Sequence, residues 1–269
     1  MSDVDVALDR TELWLSLLRE LTASYPGWAV WKNVDSAFAG TGDVDSFAPP
    51  ADWPAIGRTF ERWVRDHELG PLIICRHIPQ GPHFMTLQED SPYLVQLDVK
   101  IRGTYRGSTL IDATDLQRLS ELDVLGFRRV RPGVEGIIKL LLNGTRKGGR
   151  PNPEGLRTKR VADLLADDPA GVALGVELAG VAAPALQRGV DAFLAGTWDL
   201  AAMRRVEARF ALRSFAEPGV ALSRLWFLKY RAPRCPVVSL IRDHERRVPD
   251  DRDRWLADVS RSHEVRSVG

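Results

Sequence analysis

Two carboxylates at alternate positions, Asp43 and Asp45, lie in the stretch Gly40-Thr41-Gly42-Asp43-Val44-Asp45. If this is a glycine turn feeding a strand, both side chains leave the same face, about 7 Å apart along the chain. Two anions so placed repel each other, and they become useful when a divalent cation sits between them. Mg²⁺ is a hard ion held by one or two carboxylates together with substrate phosphates, so the pattern points to a site that handles a nucleoside triphosphate. A solvated turn rich in Gly and Asp has the same composition. A calcium loop does not fit: with Asp43 first, Ala48 stands where glycine is required and Pro54 where a bidentate glutamate is required.

Other residues bear on the same chemistry. Asp98 interrupts an apolar, strand-like run, Tyr93 to Ile101, and an acid there is costly to bury unless it is paired or binds a metal. It is the candidate third carboxylate; a solvent-facing position on a half-exposed strand is the alternative. Cys75, His77 and His83 are close enough to suggest zinc, but no fourth ligand appears. Glu135 and Lys139 are spaced i, i+4 and can pair on a helix surface. Gly144-Thr145-Arg146-Lys147-Gly148-Gly149-Arg150 offers backbone amides and cations together, a composition suited to phosphate, although it lacks the order of a P-loop and reads equally as a solvated linker.

These residues need elements to carry them. Leucines at helical spacing from Asp9 to Tyr25-Pro26-Gly27 predict an amphipathic helix, and Trp28 to Lys32 a short strand. The carboxylate strand runs from Asp43 to Ala48, and a helix from Pro54 to His67 presents Ile56, Phe60, Trp63 and Val64 on one face. Leu72 to Ile78 and Phe84 to Gln88 read as a hairpin, and Arg102 to Ser108 as turns. Val134 to Leu142 and most of Thr158 to Ala216 are helical in pattern, as is Ala221 to Tyr230; a strand-like run, Pro236 to Ile241, precedes a charged, mobile tail. The expected class is therefore α+β: a mixed sheet flanked by helices over 1–130, then a helical C-terminal domain over 131–269.

The 269 residues carry a net charge of +1, which predicts no global attraction to nucleic acid or membrane. The charge is uneven, however: between Arg128 and Arg160 ten basic residues face two acids, Glu135 and Glu154. Two distant cysteines, no signal-like N-terminus and no long apolar run predict a cytoplasmic protein.

The order of helix, strand, Gly-Thr-Gly-Asp-Val-Asp, helix, hairpin and acid-bearing strand, followed by a helical half, resembles the nucleotidyltransferase superfamily related to DNA polymerase beta. The resemblance covers residues 9 to about 160. It implies that Gly40, Thr41 and Gly42 hold the triphosphate and that Asp43, Asp45 and Asp98 bind two Mg²⁺ ions, or Mn²⁺. The helix with Glu135, Lys139 and Arg146 is similar to the later motif of abortive-infection type toxin nucleotidyltransferases, which implies nucleotide contacts for Lys139 and for Arg146 or Lys147. Asp163 is similar in placement to the acid of their final motif, and the compact turn is similar to that of polysaccharide-cluster nucleotidyltransferase-like proteins. The implied acceptor is an RNA such as tRNA or a small hydroxylated molecule, a sugar or an antibiotic. A module that binds nucleotide without turnover is the remaining alternative.

Overall fold

The structure is a computed structural model that describes residues 9–75, 81–87, 94–223 and 238–241. It has the mixed α+β architecture expected, and its described residues divide into two units. One comprises residues up to Ile101, Leu122–Arg129 and 238–241; the other comprises Arg102–Glu121 and the chain from Val130 to 223.

The first unit opens with α1 (Arg10–Ser24), whose N-cap Asp9 accepts a bond from the Thr11 amide. It continues through β1 (Ala29–Lys32), α2 (Val34–Phe38), β2 (Val44–Phe47) and α3 (Trp53–Asp66) to β3 (Leu72–Cys75), β4 (His83–Leu87) and β5 (Leu94–Lys100). Pro54 lies in the first turn of α3, where its missing N–H costs no intrahelical bond. β3 and β4 pair antiparallel, as the hairpin reading predicts; residues 76–80 of their connection, including His77, lie outside the described residues.

After β6 (Arg102–Tyr105), β7 (Ser108–Asp112) and α4 (Leu116–Leu119) come β8 (Ser120–Leu122) and β9 (Arg128–Val130). With β10 (Val238–Ile241) the main sheet has the order β10-β3-β4-β5-β2-β1-β9-β8. The β2–β5 and β1–β9 pairs are parallel, and the other pairs bordering β2 to β5 are antiparallel. Alternation then decides the faces. Val44, Phe84, Leu97 and Val99 join Leu13, Trp14, Leu17, Phe60 and Trp63 in one apolar core, and their strand neighbours Asp45, His83 and Asp98 leave from the other face.

The second unit holds α5 (Pro132–Leu142) packed against α6 (Thr158–Asp167) and α7 (Pro169–Glu177), then α8 (Ala183–Leu194) against α9 (Leu200–Ala216). The turn reading of Arg102 to Ser108 gives way to a two-stranded hairpin, β6–β7. Its turn places Arg106 and Gly107 at φ 51° and 94°, the left-handed pair that suits a tight hairpin, and only Gly107 announces it in sequence. Residues 218–223 are helical. The rest of the expected helix to Tyr230, residues 231–237 and the tail after Ile241 lie outside the described residues.

Candidate metal centre

The glycine turn is the C-terminal cap of α2. The Gly40 amide bonds to the Ala37 carbonyl and the Thr41 amide to the Ser36 carbonyl, with Gly40 at φ 72°. A Cβ on Gly42 would stand 2.9 Å from Ser36 Cβ, so glycine lets the chain turn tightly off this helix and enter β2. The sequence pattern missed α2, which has only five residues. Its turn nonetheless delivers Asp43 immediately before β2 and Asp45 within it.

Register does the rest. Asp45 sits opposite Asp98 on β5, Lys32 opposite Asp45 on β1, and His83 opposite Asp98 on β4. One row across four strands therefore reads Lys32, Asp45, Asp98, His83. A bulge between Val30 and Lys32 shifts β1 by a residue and brings the lysine into the row. Oxygens of Asp43, Asp45 and Asp98 all lie within 4.8 Å of one another, the one such acidic, His or Cys cluster among the described residues. Asp45 and Asp98 are buried; Asp43 is half-buried.

The two buried acids are heavily engaged. Asp45 accepts from Asn33 Nδ2 at 2.7 Å, pairs with Lys32 at 3.1 Å and contacts Lys100. Asp98 bonds to His83 Nδ1, accepts from Gln96 Nε2 at 2.8 Å and lies 3.1 Å from Lys100 Nζ. Burial alone would raise the Asp98 carboxyl, but the His83 bond, the Lys100 charge and the Gln96 bond outweigh it and hold the group below the usual carboxylate range. Asp43 goes the other way: burial, then the charges of Asp45 and Asp98, push its carboxyl up. Burial would lower the Lys100 ammonium, yet the two acids beside it raise it above its ordinary value.

The three acids suit a hard divalent ion. They offer carboxylate oxygens, and Lys100 already stands between Asp45 and Asp98 as a stand-in cation. Sequence reasoning found the acids and missed their partners. Lys100 had a usable signal, since two residues beyond Asp98 on one strand is the same face. Lys32 had none, because a bulge decides its direction. His83, weighed above as a zinc ligand, bonds to Asp98; His77 and the Cys75 side chain lie outside the described residues.

Lys139, Arg146 and Lys147 belong to the second unit. Lys139 pairs with Glu135 at 3.1 Å, but the pair is buried in α5 instead of lying on a helix surface. Arg146 bonds to Asn152 and Glu154 and is exposed, as is Lys147. The glycine-rich segment is pinned to α9 and the turn before it: Gly149 N–H donates to Glu207, and Trp198 Nε1 donates to the Gly149 carbonyl at 2.9 Å. A carboxylate thus occupies an amide that the sequence offered to phosphate. Acids from outside the basic window also pair with it: Asp123 with Arg129, Glu121 and Asp168 with Arg131, and Asp163 with Lys159.

No family model matches the chain, and no curated protein matches it. Two solved Helicobacter pylori structures share low similarity. The protein JHP933 is 16% identical over 83% of this chain and 99% of its own, with a TM-score of 0.33. A protein provisionally described as a nucleotidyltransferase is 14% identical over 87% of this chain and 100% of its own, with a TM-score of 0.30. Likeness at this level supports no assignment, so the reading of the site rests on its geometry.

Proposed function

We propose that this chain is a cytoplasmic, metal-dependent nucleotidyltransferase. The observation that supports it is the convergence of Asp43, Asp45 and Asp98 on one face of the sheet, with oxygens within 4.8 Å of each other. A bound pair of Mg²⁺ ions would supply charge neutralisation at the attacking and leaving oxygens of an in-line displacement. The acceptor hydroxyl oxygen forms the new bond to the α-phosphorus of an NTP, the bond to pyrophosphate breaks, and pyrophosphate leaves with the electron pair. Asp45 and Asp98, buried and held by flanking donors, keep their oxygens in place as ligands. Asp98 is assigned to the acceptor side, where it helps deprotonate the hydroxyl. Gly40, Thr41 and Gly42 turn beside these acids and are assigned to the triphosphate.

Incubation with each labelled NTP, Mg²⁺, total RNA and a metabolite extract tests the reading. Label on tRNA identifies the RNA acceptor, and label on small metabolites a hydroxylated sugar or antibiotic. The lysines already seated on the acids favour a second reading, nucleotide binding without turnover. Binding with no transfer, unchanged in the Asp43→Ala plus Asp45→Ala double variant, would overturn the transferase.

A further inference from the structure

Lys100 touches two of the three acids from a single flexible stem. It lies two residues after Asp98 on the same face of β5, contacts Asp45, and stands 3.1 Å from Asp98 Oδ2. Lys32, by contrast, touches Asp45 alone, on its other oxygen, at 3.1 Å. Ligand oxygens of Asp43, Asp45 and Asp98 lie within 4.8 Å of one another, and the Lys100 ammonium holds the edge between two of these acids. A divalent ion on those oxygens and an ammonium bridging two of them would repel each other at close range. The lysine side chain keeps about a fifth of its surface open to solvent, so its head group has a way out.

We infer that Lys100 is a tethered cation that holds the Asp45–Asp98 edge until a divalent ion displaces it, so that metal-free protein resists collapse of its acids and metal must compete for the site. This rests on the reading of the three acids as a metal site. Displacement leaves the ammonium beside the ion, where the polyphosphate arriving with it supplies replacement anions. The lysine thereby links metal entry to nucleotide entry: it opposes a lone ion and favours an ion that brings phosphate.

Mn²⁺ binding to the full chain, followed by electron paramagnetic resonance, tests the inference without any activity. Lys100→Met should bind Mn²⁺ about ten- to a hundredfold tighter than wild type, the size of effect one adjacent charge has on an ionic equilibrium. Lys32→Met should gain less and Lys100→Arg little. Should Lys100→Met fail to fold, acetylation of wild-type lysines read by mass spectrometry decides the matter. Mg²⁺ should speed modification of Lys100 and leave the exposed Lys159 unchanged. Equal or weaker Mn²⁺ binding by folded Lys100→Met, or Lys100 labelling indifferent to Mg²⁺ in protein that binds Mn²⁺, overturns this inference and leaves the metal site standing. No Mn²⁺ bound by wild type or variant, with or without nucleotide, overturns both.

Discussion

Asp98 in the first unit and Asp168 in the second are both buried acids held below the usual carboxylate range, yet they are surrounded differently. Asp168 caps α7 through the Gly171 amide, receives the Gly133 amide at the start of α5, and takes both Nε and an Nη of Arg131. Every one of its partners is a donor, and two are backbone. Asp98 instead faces two more carboxylates, and its balance depends on side chains that can move: His83, Gln96 and Lys100. One acid staples two helices; the other is kept near like charges at a cost to stability that packing alone does not justify. Where an acid's neighbours are fixed amides, removal should weaken the fold, and where they are other acids, removal should silence the site.

The largest expected effect falls on transfer. Asp45→Asn or Asp43→Asn should lower nucleotidyl transfer about a thousandfold, judged by label incorporation, as for loss of one preorganised charge partner. Retained transfer would erase the contrast. Next, Asp168→Ala should cost about 2–3 kcal/mol in urea unfolding, since it leaves two amides without their acceptor and Arg131 with Glu121 as its remaining acid. Partial solvation of Arg131 keeps the loss below that of a fully enclosed pair.

A pH series sharpens the comparison further. Asp98 and Asp168 both have folded carboxyls depressed below an unfolded value of about 3.9. Their stabilisation is complete above that value and is lost as pH falls through the folded ones. Asp168→Ala should flatten the acid limb of the stability curve. Lys100, raised, contributes fully below an unfolded value of about 10.4 and loses that contribution at higher pH, so Lys100→Met should flatten the alkaline limb. The smallest effect is the most diagnostic. Asp43 is raised by burial and by its neighbours, so Asp43→Asn should lift the metal-free Tm by about 2 °C while abolishing any further rise on adding Mn²⁺.

Much of this was legible in the chain. α1, α3 and the β3–β4 pairing follow from apolar spacing and proline placement, and they formed close to the boundaries that spacing predicts. The β6–β7 hairpin was hidden because its strands are four and five residues long and its turn needs an arginine in the left-handed region. The run from Arg128 to Arg160 shows an excess of positive charge in sequence, whereas acids outside that window pair with Arg129, Arg131 and Lys159. The Gly144 to Arg150 segment likewise looked open because Glu207 and Trp198 lie far along the chain.

The sequence by itself determined that Asp43 and Asp45 leave one side of a strand behind a glycine turn, because pleat and left-handed caps are local properties of backbone and residue type. Only the tertiary structure decided that Asp98 joins them, with Lys32, Lys100 and His83 around the pair. Those contacts depend on β2 lying parallel to β5 in one register, and a shift of one residue would turn every member of the row to the opposite face. Register is settled by burying Val44, Leu97 and Val99 beneath distant helices, and no short stretch of sequence contains that information.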